Sequence, residues 1–192
     1  MKSFLTISLF FLLLHQVHSQ NQPVVLIAYY SQSGNTQRLA EEIEKGAKSV
    51  SEVETRLLSI EKVTEKDLLE SSAIILGSPV YNANMAPAVQ EFINSWPFEG
   101  SPLKDKIGAA FSTGGGISIG EEGVLIDILR SMLIHGMIVM GGEEVEAAFG
   151  ASAITGEGPF AKESIDGIFL KKAFGLGKRV AEMTLKWDLI EK

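Results

Sequence analysis

Residues 24–36 read VVLIAYYSQSGNT. Seven apolar or aromatic residues run without alternation, the pattern of a strand buried on both faces. Six small, hydroxyl-, amide- or glycine-type residues follow, with no lysine among them. Beyond them, residues 36–50 set Leu39, Ile43, Ala47 and Val50 on one helical face. Glu41 with Lys45 and Glu44 with Lys48 fall at i, i+4 on the other side. A buried strand, a polar turn and an amphipathic helix make the opening unit of an α/β sheet.

The same alternation continues. Residues 52–60 read as a second strand near the edge, and 62–70 as a short helical link. Residues 73–77 (AIILG) read as the third strand. Pro87 stands where a helix can begin, with Ala88, Val89, Phe92 and Ile93 as its apolar face. Residues 107–111 (IGAAF) read as the fourth strand and 121–133 as a helix. Residues 137–140 (MIVM) read as the fifth strand. A loop rich in Gly, Ala and Ser precedes a last helix over about 164–186. Five strands alternating with helices predict a parallel sheet covered on both faces. Right-handed crossovers place all the strand carboxyl ends on one edge, where open sheets bind ligands. The loops predicted to meet there are 31–36, 78–85 and 112–120.

The first loop offers hydroxyls from Ser31, Ser33 and Thr36 and amides from Gln32 and Asn35. Gly34 permits a turn with positive φ and close approach of a ligand. With the free N–H groups of the following helix, this is an anion site. The alternative is an ordinary strand-to-helix turn with a Ser or Asn cap. Neither the Walker spacing nor the dinucleotide fingerprint is present, and a loop without lysine suits a phosphate that is held and does not react. In the second loop, GSPVYNANM (77–85), Pro79 stiffens the exit from Ser78. Tyr81 can cover a planar ligand, and Val80 and Asn82 can present amides to a heteroaromatic edge. The alternative is a plain loop with Tyr81 packed on the next helix. In the third, STGGGISIGEE (112–122), Gly114, Gly115 and Gly116 leave backbone amides bare and let a flat ring approach. The alternative is a flexible lid.

The chain has 192 residues with a formal net charge of -7 and no lysine or arginine block. That length suits one domain, and a basic nucleic-acid face is excluded. The absence of cysteine excludes disulfides, thiolate metal sites and a cysteine nucleophile. Of three histidines, His15 and His18 lie in a segment expected to be removed, so no metal site is expected. Residues 1–19 have the character of a signal peptide. Lys2 leads an apolar run over 4–14, and Val17 and Ser19 precede a cleavage point at Gln20. The expectation is a secreted or periplasmic domain over 20–192. The alternative is a membrane anchor formed by an uncleaved 4–14 run.

YYSQSGNTQRLA, AIILGSPVYNANMAPAVQEFI, FSTGGG, HGMIVMG and GASAITGEG, in this order, resemble the flavodoxin-like superfamily. The chain is most similar to the tryptophan-repressor-binding-protein family of NAD(P)H:quinone oxidoreductases, over about residues 24–187. The resemblance implies a doubly wound five-stranded sheet of order 2-1-3-4-5 with FMN at its switch point, an arrangement general to flavodoxins. It implies that Ser31, Gln32, Ser33, Gly34, Asn35 and Thr36 hold the FMN phosphate. Ser78, Pro79, Val80, Tyr81 and Asn82 would line the ring. Ser112, Thr113, Gly114, Gly115, Gly116 and Ile117 would hold its far edge through backbone amides. His135 would lie near flavin and quinone as the catalytic side chain; read by itself, it is equally a helix C-terminal residue before Gly136. NADH or NADPH is the implied donor and a quinone the acceptor. The family's longer segment between the second and third strands, associated with tetramers, is short here (59–72), which leaves a homo-oligomer open. Two other readings remain: a one-electron carrier that docks through its acidic surface, and a secreted flavin-binding module without turnover.

Overall fold

The computed structural model describes residues 22–161 and 164–191. The expected leader, residues 1–19, lies outside them. The first strand, β1 (Val24–Tyr29), pairs in parallel with β2 (Glu54–Ser59) on one side and β3 (Ala73–Tyr81) on the other. β3 pairs in parallel with β5 (Ile107–Gly114), and its last two residues fold back onto β4 (Asn84–Met85) as a hairpin. The order is β2-β1-β3-β5-β6, with β6 (Ile138–Val139) outermost. With β5 counted as the fourth parallel strand, this is the expected 2-1-3-4-5 sheet, and β2 is the edge strand that its weak alternation predicted.

Two strands run further than the sequence indicated. β3 continues through Ser78–Tyr81 and β5 through Ser112–Gly114, so the first part of each predicted loop is sheet. The fifth strand differs more. The expected strand at 137–140 reduces to Ile138 and Val139, paired with the first two residues of β5. A second piece, β7 (Ala151–Ile154), takes the same lane beside the last four residues of β5. Between them the chain leaves the sheet at Gly141 and Gly142, whose carbonyls both accept from the Arg179 guanidinium. ASAI was missed because three small residues and one isoleucine carry no periodic signal; neighbouring β5 supplies the pairing.

Alternation on the sheet sorts the core into two layers. Val25, Ile27 and Ile75 point to one face, under α1 (Asn35–Lys48) and α5 (Gly167–Glu191). Leu26, Ala28, Ile74 and Leu76 point to the other. There they meet α2 (Glu65–Glu70), α3 (Pro87–Asn94) and α4 (Glu121–Ile134). Each fully buried Leu or Ile of this kind stabilises by about 1.5–3 kcal/mol. α1 starts as predicted, but Lys45 pairs with Glu42 at 2.6 Å, and Glu41 accepts instead from Gln37. The Glu44–Lys48 pair forms at 2.8 Å. Pro87 does open α3 at its first turn.

α1 and α5 cross at unusually short range. A Cβ on Gly46 would stand 2.0 Å from the Phe174 carbonyl oxygen, and one on Gly177 would stand 1.9 Å from that of Ile43. Two glycines, each facing the backbone of the opposite helix, thus set the spacing of this layer. The opposite layer is spaced by side chains such as Leu125, Ile128 and Met132.

Candidate functional site

Parallel pairing brings the ends of β1, β3 and β5 to one edge, and named contacts tie the three loops together there. The Tyr81 hydroxyl donates to Gln32 Oε1 at 2.9 Å, joining the second loop to the first. The Thr36 and Thr113 hydroxyls lie 2.7 Å apart, joining the first to the third. Gly120 packs on the Ala83 backbone, joining the third to the second.

In the first loop Gly34 adopts φ 87°, the left-handed conformation that the turn requires. Ser31 Oγ accepts the Gly34 amide at 3.1 Å. α1 begins at Asn35 with no side-chain cap and no acid in its first turn. The opening N–H groups of a helix have no partner within it, and its dipole end there is positive. A Cβ on Gly34 would meet no atom of the described residues within 4 Å, so among them the space over this turn is open. Ser31 and Asn35 are half-buried, and Gln32 and Ser33 are exposed. Thr36 is the exception to the predicted cradle: it is 1% exposed and its hydroxyl is engaged by Thr113.

In the second loop Asn82 and Ala83 both have positive φ, 50° and 62°, and connect β3 to β4 as a tight hairpin. Val80 and Tyr81 are half-buried, and Asn82 is exposed at the tip. Burial pushes the Tyr81 phenol above its ordinary range, and neighbouring Tyr30 adds to this, so it is a hydrogen-bond donor at neutral pH. Ser78 departs from expectation. It is fully buried, and its hydroxyl takes the Ala86 amide at 2.9 Å and donates to the Pro79 carbonyl at 2.8 Å. It braces the hairpin and does not face the open edge.

In the third loop Ser112, Thr113 and Gly114 are buried β5 residues. Ser112 Oγ donates to the Glu121 carbonyl at 3.3 Å. Gly115 is exposed with no atom of the described residues within 4 Å of a Cβ, while Gly116 is half-buried. The Ile117 amide, expected bare, donates to Glu157 Oε2 at 2.6 Å. The Ile119 amide donates to Glu121 Oε2 at 3.1 Å. Thr155 holds the Gly114 carbonyl through both its amide, at 2.9 Å, and its hydroxyl, at 3.2 Å. Sequence reasoning missed Glu121, Glu157 and Thr155. Glu121 carried a signal as an acid in the first turn of a helix, and Thr155 and Glu157 lie in the GASAITGEG stretch, which by itself assigned them no role.

His135 is not brought to this edge. α4 starts beside the third loop and runs back about 20 Å along the sheet, and His135 caps its far end. There Gly136 accepts from the Asp105 amide, just ahead of β5. The His135 ring packs against Trp96 and Phe98, with centroids 5.4 and 5.3 Å away. Burial pushes its pKa below the ordinary histidine value. Within one chain the helix C-terminal reading describes this residue, and the expected position beside a flavin does not. No group of three or more His, Asp or Glu that could hold a metal occurs among the described residues.

The geometry fits FMN. A helix N-terminus without side-chain cap lies at the end of β1 under open space, and a half-buried tyrosine and a glycine loop flank it. Comparisons with known proteins agree. The family model of NADPH-dependent FMN reductase matches residues 63–152. A flavodoxin of Clostridium saccharobutylicum is 37% identical over 62% of this chain and 72% of its own. The quinone-oxidoreductase QR2 of Triphysaria versicolor is 30% identical over 84% of this chain and 95% of its own. The solved structure of a flavodoxin, WrbA-like protein from Agrobacterium tumefaciens superposes with a TM-score of 0.70 at 21% identity, over 85% of this chain and 98% of that one.

Fold and site together define a flavodoxin-like protein of the FMN-binding oxidoreductase class. The chain belongs to the flavodoxin-like superfamily that these relatives share.

Proposed function

We propose that the protein transfers two electrons from NADH or NADPH to a quinone at FMN held by the three loops. Bound FMN supplies the redox chemistry, taking up a hydride and returning two electrons to an acceptor. The chain supplies position. Ser31, Ser33, Asn35 and the first-turn amides of α1 hold the phosphate, and Gly34 leaves room for it. Val80, Tyr81 and Asn82 border the ring on one side and Gly115 and Gly116 on the other. The Tyr81–Gln32 bond fixes the distance between the ring-lining hairpin and the phosphate loop.

The observation that carries this reading is the pairing of an uncapped helix end with a third loop that has no aromatic residue between 112 and 120. Tyr81 can cover one ring face, and the glycine loop leaves the other open to a nicotinamide and then a quinone. Relatives named quinone-oxidoreductase and NAD(P)H dehydrogenase (quinone) support the acceptor class. The second reading, a one-electron carrier, is favoured by the relatives named flavodoxin and by the acidic charge.

Two assays separate these readings. Steady-state oxidation of NADH and NADPH by FMN-loaded protein is measured with several quinones. Anaerobic reductive titration then counts electrons. Quinone-dependent turnover and a single two-electron step support the oxidoreductase. No turnover with two well-separated one-electron steps supports the carrier, and flavin binding with neither outcome leaves a non-catalytic module.

A further inference from the structure

Glu121 is the first residue of α4, and the functional reading above gives it no part. It is 8% exposed. Its Oε2 accepts the Ile119 amide at 3.1 Å. Its Oε1 is buried with no hydrogen-bond partner among the described residues. That oxygen lies against Gly114, where a Cβ would stand 2.4 Å from it, so position 114 admits only glycine while Glu121 stays in place.

A buried carboxylate oxygen without a donor is costly, and an amide side chain could accept from Ile119 without burying a charge. The latch therefore does not explain the acid. The helix N-terminus offsets part of the charge. Lys172 feels Glu121, but its ammonium is bonded to Ser152 Oγ at 3.2 Å and to the Glu146 carbonyl at 3.5 Å. What lies directly above Oε1 is the turn at 114–119, which borders the proposed flavin ring.

We propose that Glu121 is a positioning residue of the flavin site that latches residues 114–119 from beneath and sets a buried negative charge under the ring-lining loop, lowering the affinity of bound FMN for electrons. Reduction adds negative charge to the ring system. A fixed anion in a poorly screened position opposes that addition more strongly than a surface carboxylate does. This rests on the FMN reading of the site.

Two substitutions in the full chain separate the latch from the charge. Glu121→Gln keeps an acceptor for Ile119 and removes the charge; Glu121→Ala removes both. In FMN-loaded protein, dye-equilibrated redox titration of Glu121→Gln is expected to favour reduced FMN by about tenfold, or ~30 mV for a two-electron couple. A merely structural role would not move this value. In ligand-free protein, hydrogen exchange at Ile119 is expected to rise in Glu121→Ala and to stay as in the parent in Glu121→Gln. An unchanged potential in Glu121→Gln overturns the electrostatic role, and unchanged exchange in Glu121→Ala overturns the latch. If Glu121→Ala does not fold, loss of Ile119 protection in Glu121→Gln overturns the latch and its retention supports it. Should the parent bind no FMN, the functional reading fails, and the electrostatic half of this proposal with it. The exchange comparison still decides the latch.

Discussion

The hydroxyls of Thr36 and Thr113 lie 2.7 Å apart, although 77 positions separate them in the chain. One stands in the first turn of α1 and the other near the end of β5, and both are buried. This contact locks the loop at 31–36 to the strand that carries the glycine loop. Thr36→Val leaves the Thr113 hydroxyl buried and unpaired, at a cost of about 1–3 kcal/mol. Urea unfolding of the single variant and of Thr36→Val/Thr113→Val checks this. The double variant is expected to be less destabilised than the sum of the two single changes, and strict additivity would show that the hydroxyls do not couple.

Gly46 predicts a larger stability loss far from the site. A methyl at this position meets the Phe174 carbonyl at 2.0 Å, and backbone cannot move aside as a side-chain tip can. Gly46→Ala gains helix propensity but forces α1 and α5 apart. The expected net loss is about 1–3 kcal/mol, as for overpacked cores. Thermal unfolding measures it, and a stability equal to the parent would contradict the close crossing.

His135 predicts a pH dependence. Burial lowers its pKa from the ordinary 6.5, so the folded protein favours the neutral ring. The unfolded chain takes up its proton first as pH falls. The stability from keeping His135 neutral is therefore fully present above about pH 6.5. It is lost as pH falls from there through the lower folded value. His135→Gln removes this contribution, so its unfolding free energy is expected to fall less steeply than the parent's below pH 6.5. Identical slopes would place the titration elsewhere. FMN affinity is expected to be unchanged, because the residue stands at the opposite end of α4 from the three loops.

Much of this molecule was legible in its residues because strong periodic signals wrote it. The unbroken apolar run at 24–30, the amphipathic face of α1 and Pro87 at the start of α3 each act locally. Gly34 also acts locally, and its positive φ follows from the turn that it must make. What was not legible depends on partners distant in sequence. Ser112 and Ser78 read as loop ligands, yet pairing and the Ala86 amide draw them into the sheet. β7 exists because β5 extends far enough to receive it. His135 sits in a motif that suggested the flavin, but the length and direction of α4 carry it to the far edge. The Ile117 amide looked bare because nothing local announces that Glu157, 40 positions on, will occupy it.

If the uncapped start of α1 grips the phosphate of FMN, the protein must tell FMN from riboflavin. The two differ only in that phosphate, and flavin fluorescence reports binding of either. Quenching on binding is expected, with an affinity for FMN greater than that for riboflavin by about tenfold or more, equivalent to at least ~1.4 kcal/mol. Equal affinities for the two, or no quenching with either, would contradict it.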